Sequence, residues 1–390
     1  MRLPDDLWRI IVTFSEHDLL GILRLRLVNK QFAWLLRHPS VVSHLHFNFA
    51  HQAQTPSVMI DAVCYLPMPI DWLGPLTAGV RTASIHNADP YESVLMLSNL
   101  RHLKLYHSIV DGRPFSVDRL SLNWCHVNHY AKFEQVRCQS LEINYCKFFD
   151  CKRLSAMPWL ASLKLKEVST ADLGFAKPLQ ALRSLRVFEC HALVDVSDLR
   201  SLVGLQKLTL EDCARLVDVQ ALCHLTNLTE LKLLECHRAN AHDVQLVVDR
   251  LPKLTHLSIL HHRLAELTLS NLPLLTYLCL YDCVKLVRLR ELPRGLLELN
   301  LANCSALTGF SELSRLVRVQ NLNLWGTMVR ALPNLAALQA LNVSNCNNLT
   351  DDGLLSVLPC PHLHSVFAHG CERLSPDLFP QSLTKKKLFL

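Results

Sequence analysis

The stretch that decides the fold is LRSLRVFEC at residues 182–190, which returns as LQKLTLEDC at 205–213 and as LTELKLLEC at 228–236. In each copy an apolar residue stands at every second position through the middle of the phrase. This alternation is typical of a short β-strand, with the apolar side chains on one face and the intervening ones on the other. The phrase therefore predicts a strand that ends near a cysteine and recurs along the chain.

The repeat extends well beyond these three copies. Further copies end at Cys304 and Cys346, weaker ones end at Ser108, Cys125 and Cys146, and a first copy is expected at VRTASIHNA, residues 80–88. When the second apolar residue of each copy is taken as a marker, ten steps span 225 residues, a mean period of 22.5. The markers are Leu141, Leu163, Leu185, Leu208, Leu231, Leu257, Leu278, Leu299, Leu322, Leu341 and Val366.

A period of this length with leucine at fixed positions resembles the leucine-rich repeat. The resemblance implies an α/β fold, a solenoid or horseshoe in which the strands form one parallel concave sheet and stability is collective. AHDVQLVVDRLPKL (241–254) and DDGLLSVLPCPHL (351–363) have apolar residues at helical spacing and are predicted as convex helices. The other convex segments are predicted as 3₁₀ turns or extended backbone. LAELTLSNL (264–272) is either a convex strand or a further repeat.

Cysteine placement bears on the cellular compartment. The chain has 15 cysteines, an odd number, and nine of them end a copy of the repeat: Cys125, Cys146, Cys190, Cys213, Cys236, Cys283, Cys304, Cys346 and Cys371. Such cysteines are predicted to be buried thiols at the turn out of each strand rather than a disulfide framework. The expected location is therefore a reducing compartment, cytoplasmic or nuclear.

Composition excludes some classes of protein. The formal net charge is only +6, from 40 basic and 34 acidic residues, so charge alone does not indicate a nucleic-acid or membrane partner. No uninterrupted apolar run approaches the roughly 18 residues of a membrane-spanning helix, so no membrane association is expected. Asp5 and Asp6 stand where a secretory signal would carry positive charge, which argues against a signal peptide.

Residues 1–45 do not share the repeat. Apolar residues at helical spacing predict three short helices, which could form a cap over the first repeat. The segment also resembles an F-box, through LP at 3–4, DLL at 18–20 and LVNKQF at 27–32. It departs from that family at Asn29, where cysteine is common, and at Phe32, where tryptophan is common. The order of an F-box followed by cysteine-containing repeats is also that family's order.

The resemblance implies a function in protein binding. The chain would be the substrate receptor of an F-box-type ubiquitin ligase, with its first helices docked on a Skp-type adaptor and through it on a cullin. The adaptor-facing candidates are Leu3, Pro4, Leu7, Ile11, Leu20, Leu23 and Val28. The alternative is a structural subunit or assembly factor of a large protein or ribonucleoprotein complex, because repeat scaffolds also serve that purpose.

Candidate target-binding residues follow from the alternation within each strand, since they face away from the leucines. They are Tyr106, Lys164, Lys166, Arg186, Phe188, Lys232, Leu234, Leu260, Tyr281 and Trp325. Exposed aromatic clusters often dominate binding energy, although these side chains could instead pack against each other or against the C-terminal segment. The basic residues are either a solvated face or a site for an acidic or phosphorylated segment. An acidic row at 167, 189, 212, 235 and 282 should partly neutralise them, which disfavours nucleic acid as a partner.

No catalytic motif was found. The chain lacks a phosphate-binding glycine loop, a dinucleotide fingerprint, a zinc-protease HExxH and a nucleophile elbow. The histidine and cysteine clusters at 360–364, 261–262 and 146–151 lack a second matching half, so no metal site is predicted. We therefore expect no enzyme activity, no cofactor, an unidentified protein target and no homo-oligomer. The expected domains are the F-box-like module (1–45), a packed connector (46–79), and the repeat solenoid with its C-terminal cap (80–390).

Overall fold

The computed structural model describes residues 45–50, 57–60, 66–67, 82–86, 99–110, 113–127, 133–146, 148–375 and 387–389. The chain forms two compact units, residues 1–160 and 161–390, and each is described by itself. The three predicted helices of residues 1–45 and all seven adaptor-facing candidates lie outside the described residues. The F-box-like module therefore stays a prediction.

The first unit is built on a mixed sheet. Its strands are β1 (Leu45–Ala50), β2 (Ser57–Ile60), β3 (Leu66–Pro67), β4 (Thr82–His86), β5 (His102–Tyr106), β6 (Ile109–Val110), β7 (Phe115–Ser116), β8 (Arg119–Asn123), β9 (His126–Val127), β10 (Val136–Arg137) and β11 (Ser140–Asn144). Strands β1, β4, β5, β8 and β11 are parallel neighbours in that order. Strands β2 and β3 extend the sheet antiparallel on the other side of β1. The expected first copy at 80–88 is indeed a strand, β4, and it pairs in register with β5.

The second unit has one continuous parallel sheet. Its strands are β12 (Ser162–Lys166), β13 (Ser184–Phe188), β14 (Lys207–Glu211), β15 (Glu230–Leu234), β16 (His256–Leu260), β18 (Tyr277–Cys279), β20 (Glu298–Asn300), β21 (Asn321–Asn323), β22 (Ala340–Asn342), β23 (Ser365–Phe367) and β24 (Lys387–Phe389). Each pairs parallel with the next. The marker residues from Leu163 to Val366 stand opposite one another across every pair, which confirms the repeat register predicted from the sequence.

The segments between the strands match the predicted convex elements. Helix α1 (Ala241–Asp249) begins after Asn240, whose side chain accepts a hydrogen bond from the His242 amide, and α2 (Asp351–Leu355) begins after Thr350. Other connections hold 3₁₀ turns at Phe133–Gln135, Cys151–Ala156, Gly174–Ala176, Ser197–Ser201, Gln220–His224 and Phe310–Arg315. The sequence 264–272 contains β17 (Glu266–Thr268), which pairs with β19 (Arg288–Arg290) in a separate two-stranded sheet, so it is an extra strand and not a further repeat. Within the described ranges, no helix is long and apolar enough to cross a membrane.

The core consists of stacked leucines. In β13, Leu185 and Val187 are fully buried, and Leu193, Leu199 and Leu205 from the connection that follows it are equally buried. Burying one such side chain contributes about 1.5–3 kcal/mol. Because a single repeat has no second layer to cover its leucines, each strand depends on its neighbours for that burial.

Candidate functional site

The outward-facing positions of β12–β16 make up the candidate surface, which we call the strand face: the first, third and fifth residues of each of these five strands. In β13 the third residue, Arg186, is exposed, and the fifth, Phe188, is half-buried. Lys164 and Lys166 of β12 and Lys232 and Leu234 of β15 are half-buried at the same two positions. Period-two alternation thus directs these side chains away from the leucine core.

The register of the sheet decides which candidates meet. Lys164 stands opposite Arg186 and Lys166 opposite Phe188, while Leu234 stands opposite Leu260 of β16. Tyr281, half-buried just after β18, continues the Leu234–Leu260 row, because the His261 amide donates to the Tyr281 carbonyl in the next repeat.

Two candidates do not belong to this group. Trp325 is half-buried, but the buried Ala302 occupies the equivalent position in the repeat between it and Tyr281. Tyr106, at the end of β5, belongs to the first unit. The structure therefore brings together the eight candidates from Lys164 to Tyr281.

Several lysines of the strand face are paired with carboxylates. Lys166 Nζ lies 2.9 Å from Glu189, while Lys207 and Lys232 lie 3.2 and 2.7 Å from the two oxygens of Glu230. Burial raises the pKa of the Glu230 carboxyl, but the hydrogen bonds from the two lysines outweigh it and the net pKa is lowered. Lys166 is therefore neutralised by its own carboxylate, whereas Lys207 and Lys232 share the single negative charge of Glu230.

Lys164 and Arg186 differ from those lysines. Among the described residues neither forms an ion pair, and Lys164 Nζ instead lies 5.4 Å from the centroid of the Phe188 ring. A cation over an aromatic face is held in place without losing its charge. Two adjacent strands thus present two uncompensated cations side by side.

The acidic row expected from the sequence lies at the turn that follows each strand. Glu167, Glu189, Asp212 and Glu235 all have left-handed backbones, with φ of 49, 53, 48 and 55°. These turns lie at the C-terminal ends of the strands. The carboxylates therefore line that side of the sheet. Glu211, at the end of β14, is affected: burial and then the neighbouring Glu235 and Glu189 raise the pKa of its carboxyl.

The repeat cysteines follow these turns, and eight of the nine are buried as predicted, whereas Cys371 is only half-buried. Several of these thiols donate a hydrogen bond to a carbonyl of the preceding repeat. Cys304 donates to Leu280 and Cys346 to Leu324, both at 3.0 Å. Burial raises the pKa of the Cys190 thiol to about 11 and of Cys304 to about 12. A thiol held protonated in this way is a poor nucleophile, so the Cys190 and Cys304 thiols are structural.

One member of the ladder is a histidine. His262 occupies the cysteine position between Cys236 and Cys283, is 2% exposed, and has neither ring nitrogen in a hydrogen bond. Burial lowers the pKa of its imidazole to about 4, against a smaller raising effect of the Ala239 backbone. Among the residues the structure describes, no three His, Cys, Asp or Glu side chains are grouped to hold a metal ion.

Sequence reasoning missed an aromatic stack in the first unit. His107, Trp124 and Tyr145 occupy the same left-handed turn position in three successive repeats. Their rings are stacked with centroids 5.4 and 4.6 Å apart, and Trp124 is 48% exposed. Aligning the residue before each ladder position would have revealed this column. Its ring spacing is that of neighbouring strands, so the repeat register itself produces the stack.

Comparison with solved structures gives the fold a name. An internalin of Listeria monocytogenes has a TM-score of 0.55 and 18% identity, and the match covers 84% of this chain and 90% of the internalin chain. A chain of the Drosophila Toll–Spätzle complex has a TM-score of 0.56 and 15% identity, over 83% of this chain and 50% of that one. The fold is a leucine-rich-repeat solenoid. At such low identity the likeness concerns the solenoid fold alone. No protein-family model and no curated protein matches the chain, so neither comparison adds support for the F-box-like segment.

Proposed function

We propose that the chain is a non-catalytic scaffold that binds a protein target on its strand face. The observation that carries this proposal is the placement of uncompensated cations and large apolar side chains on adjacent strands of one rigid sheet. A sheet of stacked repeats presents such side chains without the entropic cost of ordering a loop.

We further propose that residues 1–45 dock a Skp-type adaptor and through it a cullin, which makes the scaffold the substrate receptor of an F-box-type ubiquitin ligase. Support comes from the F-box-like residues at 3–4, 18–20 and 27–32 followed by cysteine-containing repeats. In such a complex the chain does no chemistry. It raises the effective concentration of the target near the enzyme that transfers ubiquitin.

The test is co-expression of the full chain with a Skp-type adaptor from the same organism, followed by size-exclusion chromatography. We expect a one-to-one complex that is lost in the Leu3→Ala/Pro4→Ala variant. The matched control is Leu355→Ala/Pro361→Ala, which removes an exposed leucine and an exposed proline from the last repeats and should retain the complex. A monodisperse chain that binds no adaptor would reject the ligase assignment. It would favour the alternative of a subunit or assembly factor, to be sought by cross-linking in extract.

A further inference from the structure

The charge and shape of the strand face indicate the kind of target it fits. We propose that this face binds an extended protein segment in which Asp or Glu carboxylates stand about five residues from a large apolar side chain. The inference rests on the proposed function of the face as a target-binding surface.

The positive charge lies in the middle column of the strand face, formed by the third residue of each strand. From β12 to β16 this column reads Lys164, Arg186, Thr209, Lys232 and Ser258, and it contains no carboxylate. Lys232 is paired with Glu230, whereas Lys164 and Arg186 form no ion pair with any described residue. Adjacent strands are about 4.8 Å apart, so two uncompensated cations stand within reach of one or two carboxylates.

The apolar part lies on the following strands. Leu234, Leu260 and Tyr281 hold the last outward-facing position of three successive repeats and are all half-buried. Strand β14, with Glu211 at the equivalent position, separates them from the cationic strands β12 and β13. A leucine or aromatic side chain of a partner would cover these three side chains and be largely removed from water.

The geometry sets the spacing between the two features. Arg186 and Leu260 are three strands apart, about 14 Å, and are offset by two residues along the strand, about 7 Å. Their separation is therefore about 16 Å. An extended chain advances about 3.3 Å per residue, so about five residues of a partner link its carboxylate to its apolar anchor.

The neighbouring charges favour carboxylates over phosphate groups or nucleic acid. Glu211, at the end of β14, lies beside the cationic strands and repels a dianion more strongly than a single carboxylate. Lys164 lies over the Phe188 ring and opposite Arg186. The two cations therefore form a row along the sheet and do not converge on a single phosphate group. A nucleic-acid chain, which carries a negative charge on every phosphate, would also be repelled by the acidic row at the turns.

The experiment uses the full chain and fluorescein-labelled synthetic peptides, with binding measured by fluorescence anisotropy. The probe peptide carries Asp-Glu-Asp, a four-residue Gly/Ser spacer and Leu-Phe. Matched peptides replace the acidic block by serines, replace Leu-Phe by serines, shorten the spacer to one residue, or place phosphoserines in the acidic block. A fifteen-nucleotide oligothymidine serves as the nucleic-acid probe. We expect the complete peptide to bind at least tenfold more tightly than any of these and to weaken as salt is raised.

Variants locate the binding on the protein. Lys164→Glu/Arg186→Glu should weaken the complete peptide at least tenfold, and Leu260→Ser at least fivefold. Arg318→Glu, an exposed arginine before β21, is the matched control and should stay within twofold of wild type. Thermal unfolding by circular dichroism verifies that each variant is folded.

Three outcomes would overturn the inference: equal binding to wild type and Lys164→Glu/Arg186→Glu, tightest binding of the phosphoserine peptide or oligothymidine, or no binding of the complete peptide. Peptide display on the same full chain, counter-selected with Leu260→Ser, separates this failure from failure of the proposed function. Enriched non-acidic peptides that need Leu260 would retain a target-binding face and reject only its acidic specificity.

Discussion

Replacing Cys304 by alanine tests what holds the thiol ladder together. Cys304 is fully buried, and its Sγ donates to the Leu280 carbonyl of the preceding repeat at 3.0 Å. Removing the sulfur leaves a small cavity, comparable to deleting one buried methyl group, which costs about 0.5–1.5 kcal/mol. It also removes one of two donors to the Leu280 carbonyl, which keeps the Cys283 amide at 3.4 Å, so the lost bond costs about 0.5–1 kcal/mol because a thiol is a weak donor. We expect a total loss of about 1–2.5 kcal/mol.

Valine separates the two contributions, because it restores the volume without the donor. The structure already accepts valine at this position, since Val168 follows β12 in place of a ladder cysteine. Cys304→Val should therefore cost about 1 kcal/mol. The assay is guanidinium unfolding of the full chain in reducing buffer, followed by circular dichroism, with the half-buried Cys223→Ala as a control expected to cost less than about 0.5 kcal/mol. An alanine cost that small would refute the packing argument, and a valine variant as stable as wild type would refute the hydrogen bond.

Three further substitutions test other features of the repeats. The free energy of unfolding of the wild-type chain should fall by up to about 3 kcal/mol as pH falls from about 6.5 to about 4, because the unfolded chain binds a proton that the buried His262 does not. His262→Cys should reduce this pH dependence, measured by denaturant unfolding at several pH values. Gly353→Ala should cost about 1–3 kcal/mol in the same assay, because a Cβ would overlap the Arg330 carbonyl oxygen, whereas Gly295→Ala should be tolerated; equal effects would contradict the steric reasoning. Glu235→Gly should raise the free energy of unfolding by about 0.5 kcal/mol by relieving a left-handed φ of 55°, and a lower free energy of unfolding would count against strain there.

The sheet was predictable from the sequence because two periods fix it. Alternation of apolar residues defines each strand, and the spacing between markers aligns Leu163 with Leu185 and each later marker with the next. A slip of one residue would turn the leucines outward, so only one register is stable. The helices at 241 and 351 were predictable for a related reason: the longest steps in the repeat provide enough residues for helical turns.

The electrostatics of the candidate site could not be predicted in the same way. Sequence placed Lys164, Lys166 and Lys232 on one face, but it did not show that Glu189 and Glu230 would pair with two of them and leave Lys164 over an aromatic ring. Such pairing depends on side-chain rotamers and on where each carboxylate lies relative to the lysine ammonium group. The buried His262 was missed for a different reason, because adjacent histidines at 261 and 262 were assessed as possible metal ligands and not as members of the ladder.

The residue types at the left-handed turns influence how a partner lies across the strand face. Later turns use Asn303, Gly326 and Asn345, which accept a positive φ at little cost, as does the Asp after β14, whereas the turns after β12, β13 and β15 use Glu at a cost of about 1 kcal/mol each. The acidic side chains have an electrostatic effect that asparagine would lack. One of them, Glu189, neutralises Lys166, and together they make the edge of the sheet negative. The middle column is then the strip where positive charge persists, so an acidic segment is attracted along it, across the strands and away from the turns. Replacing these acidic residues by asparagine should widen the positive strip and loosen the preferred five-residue spacing, a change that the spacer series of peptides would measure directly.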